Sequence, residues 1–191
     1  YVPNVLRPAF EETLCARVEK LQTGNGMEDG VGVGPLVNDA AVSKVEAQVE
    51  DAREKGAGVP VGGVRLTEGE HADGHFFAPT VLTDIGPEMT IYREETFGPV
   101  APVIGYDDAE EVIDLANDTN YGLAAYVYTR DIAVAMRAFE SLRFGIIGIN
   151  DVNPTSASVP FGGMGDSGVG REGGHEGIGE YLETKTGGFA I

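Results

Sequence analysis

The chain is poor in the residues that usually carry covalent or metal chemistry. Its 191 residues hold one cysteine, Cys15, three histidines and no tryptophan. A single cysteine excludes an internal disulfide and fits a reducing compartment, so a cytoplasmic location is expected. His71, His75 and His175 are too few and too scattered for an obvious metal set, and no metal is expected. Positive charge is also scarce. Thirteen Lys and Arg face 31 Asp and Glu for a net charge of −18, and the lysines are Lys20, Lys44, Lys55 and Lys185 alone. Such a surface excludes nucleic acid and anionic membranes as partners. Self-repulsion at this charge density weakens the compact state in dilute buffer and relaxes as salt screens it, which points to a salt-rich cytoplasm. No apolar run approaches the roughly 20 residues of a membrane span, and no charged-then-apolar start resembles a signal peptide. The chain opens on Tyr1 rather than methionine, and its true start is expected to lie further upstream.

What is present suits a folded α/β protein. Hydrophobic residues make up 42% and are spread along the chain, enough for one buried domain or one with an appendage. Residues 8–22 read as an amphipathic helix with Phe10, Leu14, Val18 and Leu21 on one face. Residues 39–55 read as a second, with Val42, Val45 and Val49 apolar and Gly56 at the stop. Residues 62–74 are polar and read as a loop. From there strands (76–82, 99–106, 124–129, 145–150) alternate with helices (107–117, 132–142). That rhythm predicts a mostly parallel sheet with helical crossovers. Pro99 and Pro102 make their strand an edge or an irregular one.

Several patterns invite a functional reading and are outweighed by a plainer one. Gly163, Gly165 and Gly168 spell GxGxxG, but that nucleotide loop needs a strand directly before it and a helix directly after. Here a Ser/Thr/Pro-rich loop precedes it and more glycine follows. Ser167 sits in GDSG, yet nothing identifies His71, His75 or His175 as its base. His71 and His75 share a spacing that suits metal ligands on a helix, but the Ala-Asp-Gly between them makes a loop. Cys15 lies beside acidic residues that raise a thiol's pKa, so packing is the better reading.

Two segments stand apart. Residues 159–173 carry glycine at 162, 163, 165, 168, 170 and 173, which predicts a backbone that turns sharply or passes close to something. REETFGPV at 93–100 sets a carboxylate beside an aromatic ring. Such a pair can accept both hydroxyls of a ribose while the ring flanks a flat base, or it can be an ordinary acidic loop.

Taken together, GPL at 34–36, GHFFAPT at 74–80, EETFGPV at 94–100, AN…YGLA at 116–124, GIIGIN at 145–150 and PFGG…SGVGRE at 160–172 resemble the aldehyde dehydrogenase superfamily. They stand in the family's order and spacing across nearly the whole chain. Residues 170–185, GREGGHEGIGEYLETK, resemble its succinate-semialdehyde branch.

The resemblance implies an NAD- or NADP-dependent oxidation of an aldehyde, expected to be succinate semialdehyde, to a carboxylate. In the family a cysteine thiolate forms a thiohemiacetal, hydride passes to the nicotinamide, and a glutamate base helps water release the product. Tyr1 and Val2 align just after that cysteine, so the resemblance places the nucleophile, the base and the oxyanion-hole asparagine upstream and assigns no catalytic residue here. Residues 1–180 would then be the catalytic-domain portion, truncated at its N-terminus, and 181–191 a C-terminal oligomerisation strand of a homo-oligomer. Glu95 matches the glutamate on the nicotinamide ribose and Phe97 the aromatic on the nicotinamide ring. Phe161 matches a wall of the substrate tunnel, with Thr155 and Ser156 on the same lining loop, and Glu95 and Phe97 are expected to share a cleft with Phe161. Gly165 stands where the family commonly has lysine. The alternative is a non-catalytic binding or assembly module with the same fold.

Overall fold

Thr80, Val81, Leu82 and Thr83 are consecutive and all buried, as expected of a strand covered on both faces. The computed structural model, which describes residues 1–191, builds its first unit, Tyr1–Ala109, around this strand. The unit opens with β1 (Val2–Pro3), α1 (Arg7–Val18), β2 (Gln22–Thr23), β3 (Val31–Val33) and α2 (Asp39–Glu54). It continues with β4 (Gly58–Val61), β5 (Arg65–Leu66), a 3-10 turn at Gly69–His71, β6 (Phe76–Phe77) and β7 (Thr80–Thr83). It closes with α3 (Thr90–Arg93), β8 (Val100–Pro102) and β9 (Gly105–Tyr106).

Side chains alternate across a strand, and β7 uses both faces. Leu82 joins Val42, Val45, Val49 and Ala52 of α2, with Phe77, Ile85, Met89 and Ile91, in the larger core. Val81 joins Val2 and Val103, against which Leu14, Cys15 and Val18 of α1 pack. Burying a side chain such as Leu82 contributes about 1.5–3 kcal/mol. β7 pairs antiparallel with β4 and parallel with β8, and β8 lies at the sheet edge, where Pro102 forfeits no ladder bond. Helix α2 starts where expected because Asn38 caps it, its side chain accepting from Ala41 N–H at 2.9 Å. Helix α1 stops short of the expected residue 22. Lys20 and Leu21 donate to the carbonyls of Arg17 and Val18, a tighter last turn, and the chain then enters β2. Leu21, past the helix end, is exposed, and so is Phe10 within it.

The second unit, Glu110–Ile191, follows the first residue of α4 (Ala109–Asn117). It holds β10 (Tyr121–Gly122), β11 (Ala124–Val127), α5 (Ile132–Ser141), β12 (Ile146–Ile149), β13 (Met164–Gly165) and α6 (Glu176–Gly179). β11 and β12 pair in parallel from Ala124↔Ile146 to Val127↔Ile149, with α5 as the crossover helix between them. Asp131 caps α5 through Ala133 N–H at 2.8 Å. Asn117, at the end of α4, accepts from Arg143 N–H at 2.9 Å and donates to Ser141 O at 2.9 Å, fixing the far end of α5.

Four of the seven strand pairs are parallel (β1–β9, β2–β3, β7–β8, β11–β12), so the mostly parallel α/β class holds. The boundary between the two units carries no mark in the sequence. Residues 107–118 read DDAEEVIDLAND, without the Pro, Gly or Ser clustering of a linker. The tail at 181–191 pairs with no strand of this chain, and all of it is exposed.

Asp51, ion-paired with Lys55 at the end of the same helix, ties α2 to the segment before β8. Asp51 accepts from Lys55 Nζ at 2.6 Å and from Thr90 N–H at 2.7 Å. The Lys55 hydrogen bond and then the Thr90 N–H hold its carboxyl below the usual carboxylate range. A carboxyl depressed by folding contributes stability above its unfolded pKa, about 3.9, and loses it as pH falls through the folded value. Asp51→Asn is therefore expected to lower the melting temperature at pH 7, with the gap to wild type closing as pH drops below about 4. An equal gap at pH 7 and pH 3 would contradict this.

Candidate functional site

The segment 88–98 runs along α2 and is gripped at several points. Lys55 Nζ donates to Glu88 O at 2.6 Å, Asp51 holds Thr90, and Thr96 Oγ1 donates to Gln48 Oε1 at 2.8 Å. Gly98 lies on α2 itself, since a Cβ there would sit 2.6 Å from Val45 Cγ2. Leu36 fills the same corner, packing on the α2 core and donating its N–H to His75 O at 2.8 Å. The motifs at 34–36, 74–80 and 94–100 are thus neighbouring segments of one packed unit around one helix.

Two side chains on this gripped segment point away from it. Glu95 is exposed, and Phe97 is 80% exposed, while Thr96 between them is turned inward. A carboxylate and a bare aromatic ring, two residues apart on a tethered backbone, have the chemistry to accept paired hydroxyl donors and to stack on a flat ring.

The other expected residues lie in the second unit. Thr155 Oγ1 donates to Asn153 Oδ1 at 3.1 Å, and Ser156 Oγ meets Ser158 Oγ at 2.9 Å. Both are exposed on the loop after β12. Phe161 is held by its backbone, which exchanges two hydrogen bonds of 2.7 Å with Glu172, and its ring is 41% exposed. Arg171 ties the same glycine-rich segment together, donating to Gly163 O at 2.9 Å and Gly170 O at 2.6 Å. Glu95 and Phe97 therefore share one segment of the first unit, and Thr155, Ser156 and Phe161 share a stretch of the second.

The discounted patterns have structural explanations. Met164 and Gly165, inside the GxGxxG string, pair antiparallel with Gly122 and Tyr121, and no helix follows before Glu176. Ser167 Oγ accepts from Gly122 N–H at 3.0 Å, so that hydroxyl braces a strand. His71 Nε2 meets Thr23 O at 2.8 Å, and no cluster of His, Cys, Asp or Glu suits a metal ion. Burial first, then Glu19 and Glu11, pushes the Cys15 thiol up, which leaves little thiolate near neutral pH. Iodoacetamide is expected to label Cys15 more slowly at pH 7 than a free cysteine, and Cys15→Ser is expected to leave turnover of the complete protein unchanged. Fast labelling or a lost turnover would restore Cys15 as a candidate nucleophile.

A match to the aldehyde dehydrogenase family spans residues 1–187, and the chain belongs to that family. It is 48% identical over 184 residues to the non-phosphorylating aspartate-semialdehyde dehydrogenase of Halomonas elongata, covering 96% of this chain and 36% of that protein. It is 45% identical over 185 residues to the NADP(+) succinate-semialdehyde dehydrogenase of Escherichia coli K12, covering 97% and 38%. Among solved structures it is similar to betaine aldehyde dehydrogenase from Staphylococcus aureus in complex with NAD+. There the TM-score is 0.91 at 42% identity, over 96% of this chain and 37% of that one. The chain thus spans little more than a third of the length of the relatives it matches.

Gln48 carries no motif and was not among the expected site residues. Its signal was positional: a glutamine in the row Val42, Val45, Val49 and Ala52, where apolar residues belong.

Proposed function

We propose that this chain is part of an NAD(P)-dependent aldehyde dehydrogenase that oxidises a semialdehyde, succinate semialdehyde first among them, to its carboxylate. The carrying observation is the exposed Glu95 and Phe97 pair on a backbone tethered to α2. Their chemistry fits a nicotinamide nucleotide: a carboxylate to accept from the two ribose hydroxyls and an exposed ring for the nicotinamide. When bound, NAD(P) supplies an acceptor for the hydride leaving the aldehyde carbon. Glu95 holds the ribose and Phe97 lays its ring against the nicotinamide. Phe161 walls the substrate, and Thr155 and Ser156 offer hydroxyls to its far carboxylate. Cys15 is not read as the reacting thiol, because burial and then Glu19 and Glu11 push its pKa up.

The names of the relatives support this chemistry, since aspartate semialdehyde and succinate semialdehyde both carry a carboxylate beyond the aldehyde. The exposed 181–191 tail is read as a strand that pairs with a second copy of the chain, which would cover an otherwise open edge. The excess of acid supports a salt-rich setting and the single cysteine a reducing one, as in a salt-rich cytoplasm. The enzyme's melting temperature is expected to rise from low to molar salt, and a flat profile would contradict that setting.

The test is an assay of the complete protein, in high salt, with a panel of aldehydes and both cofactors. One carboxylate and one NAD(P)H per aldehyde, with semialdehydes bearing a terminal carboxylate preferred, is expected. No aldehyde oxidised with either cofactor would leave the binding-module reading.

A further inference from the structure

We propose that Gln48, on α2, is a positioning residue for cofactor binding. Through Thr96 it fixes the backbone from which Glu95 and Phe97 project. The inference rests on the reading of those two side chains given under Proposed function.

Gln48 is 2% exposed and is the only polar residue among the buried positions of α2. Its Oε1 accepts the Thr96 hydroxyl at 2.8 Å, while its Nε2 is buried with no hydrogen-bond partner. A buried amide with an unmet donor is a poor choice for stability, because desolvating that donor is uncompensated. An apolar side chain like those at 42, 45, 49 and 52 would serve the core better. What Gln48 supplies that an apolar residue cannot is the bond to Thr96.

That bond falls where it matters. Along segment 88–98, α2 holds Glu88 through Lys55 and Thr90 through Asp51. At the far end it receives Gly98 on Val45. Between Thr90 and Gly98, Thr96 is a point where an α2 side chain hydrogen-bonds the segment. Thr96 stands directly between the two residues that face the cofactor, so its inward turn sets the outward turn of both. Without it, Glu95 and Phe97 sample more orientations, and binding must pay for ordering them.

The experiment uses the complete enzyme. NAD(P)H binding is read by fluorescence titration without substrate, alongside separate KM values for cofactor and aldehyde and the melting temperature. Gln48→Met and Thr96→Val are each expected to weaken NAD(P)H binding about five- to tenfold, the loss of one positioning hydrogen bond. The cofactor KM should rise in parallel, the aldehyde KM should stay within about twofold, and the melting temperature should hold in Gln48→Met while falling in Thr96→Val, which strands the buried Gln48 amide. Thr96→Ser, which keeps the hydroxyl, should bind like wild type. Gly98→Ala, which presses the segment off Val45, gives an independent displacement expected to weaken NAD(P)H binding and raise the cofactor KM, with a lower melting temperature from the overpacking.

Unchanged NAD(P)H binding in Gln48→Met and Thr96→Val overturns the inference, as does a matching loss of cofactor and aldehyde affinity together with melting temperature. Glu95→Gln separates the two levels. If Glu95→Gln weakens binding while Thr96→Val does not, the seat on α2 is wrong and the cofactor role of Glu95 stands. If Glu95→Gln also leaves binding intact, that role fails and the inference fails with it.

Discussion

Phe77→Ala is expected to destabilise the complete enzyme by about 3–5 kcal/mol, the range for emptying a large buried aromatic site. Phe77 is 1% exposed and is among the largest fully buried side chains of the molecule. It sits in the cluster that joins β7 to α2, so the space it leaves is walled by a strand and a helix that are each fixed elsewhere. β7 is paired on both edges, and α2 is capped by Asn38 and tied to segment 88–98. Neither can collapse inward to refill the site, which places the cost toward the upper end. Denaturant unfolding reads the loss, with Val37→Ala as the control. Val37 is 85% exposed, and its truncation is expected to fall within about 0.5 kcal/mol of wild type. Equal effects at the two positions would mean that the core is not where β7 and α2 meet.

Gly145→Ala is the second large effect, and it strikes the glycine-rich segment. A Cβ at Gly145 would overlap the carbonyl oxygen of Gly162 and lie 2.9 Å from its carbonyl carbon. All the atoms it meets are backbone, so no side chain can swing aside. Gly145 is itself held by its N–H on Gly122 O at 2.9 Å. The strain must move residues 160–163, and Phe161 with them. Overpacking of this kind costs about 1–3 kcal/mol, occasionally more. The aldehyde KM is expected to rise several-fold while NAD(P)H binding changes little. Gly26→Ala, with nothing within 4 Å of its Cβ, is expected to be silent. Wild-type stability and aldehyde KM in Gly145→Ala would show that GIIGIN and PFGG do not pack as described.

This contact also explains part of what the sequence made legible. The crowding of glycine at 159–173 signals turns and close approach, and both occur. Gly165, Gly168, Gly170 and Gly173 hold positive φ, and Gly162 abuts Gly145. Helix α2 was legible because its apolar residues repeat at helical spacing, and the edge position of β8 because two prolines mark it. The expected strand at 76–82 is instead two, β6 and β7, with Ala78 and Pro79 between them. Pairs as short as Arg65–Leu66 with Phe76–Phe77 carry no periodicity to read, so the segment 62–74 looked like plain loop.

The candidate site was legible in a different way. Nothing in the spacing of EETFGPV separates it from any acidic loop of so acidic a chain, and the family motifs supplied the roles of Glu95 and Phe97. Geometry then added what the motifs do not hold: Thr96 turned inward, Gln48 beneath it and Gly98 pressed on Val45. Those contacts link residues 48 and 53 positions apart, and no local pattern encodes them.

The most direct measurement is the crystal structure of the complete enzyme with NAD(P) bound. The Glu95 carboxylate should accept from the hydroxyls of the nicotinamide ribose within about 2.6–3.2 Å, the span of good hydrogen bonds, with the Phe97 ring against the nicotinamide. A bound cofactor whose nicotinamide half touches neither Glu95 nor Phe97 would contradict the account.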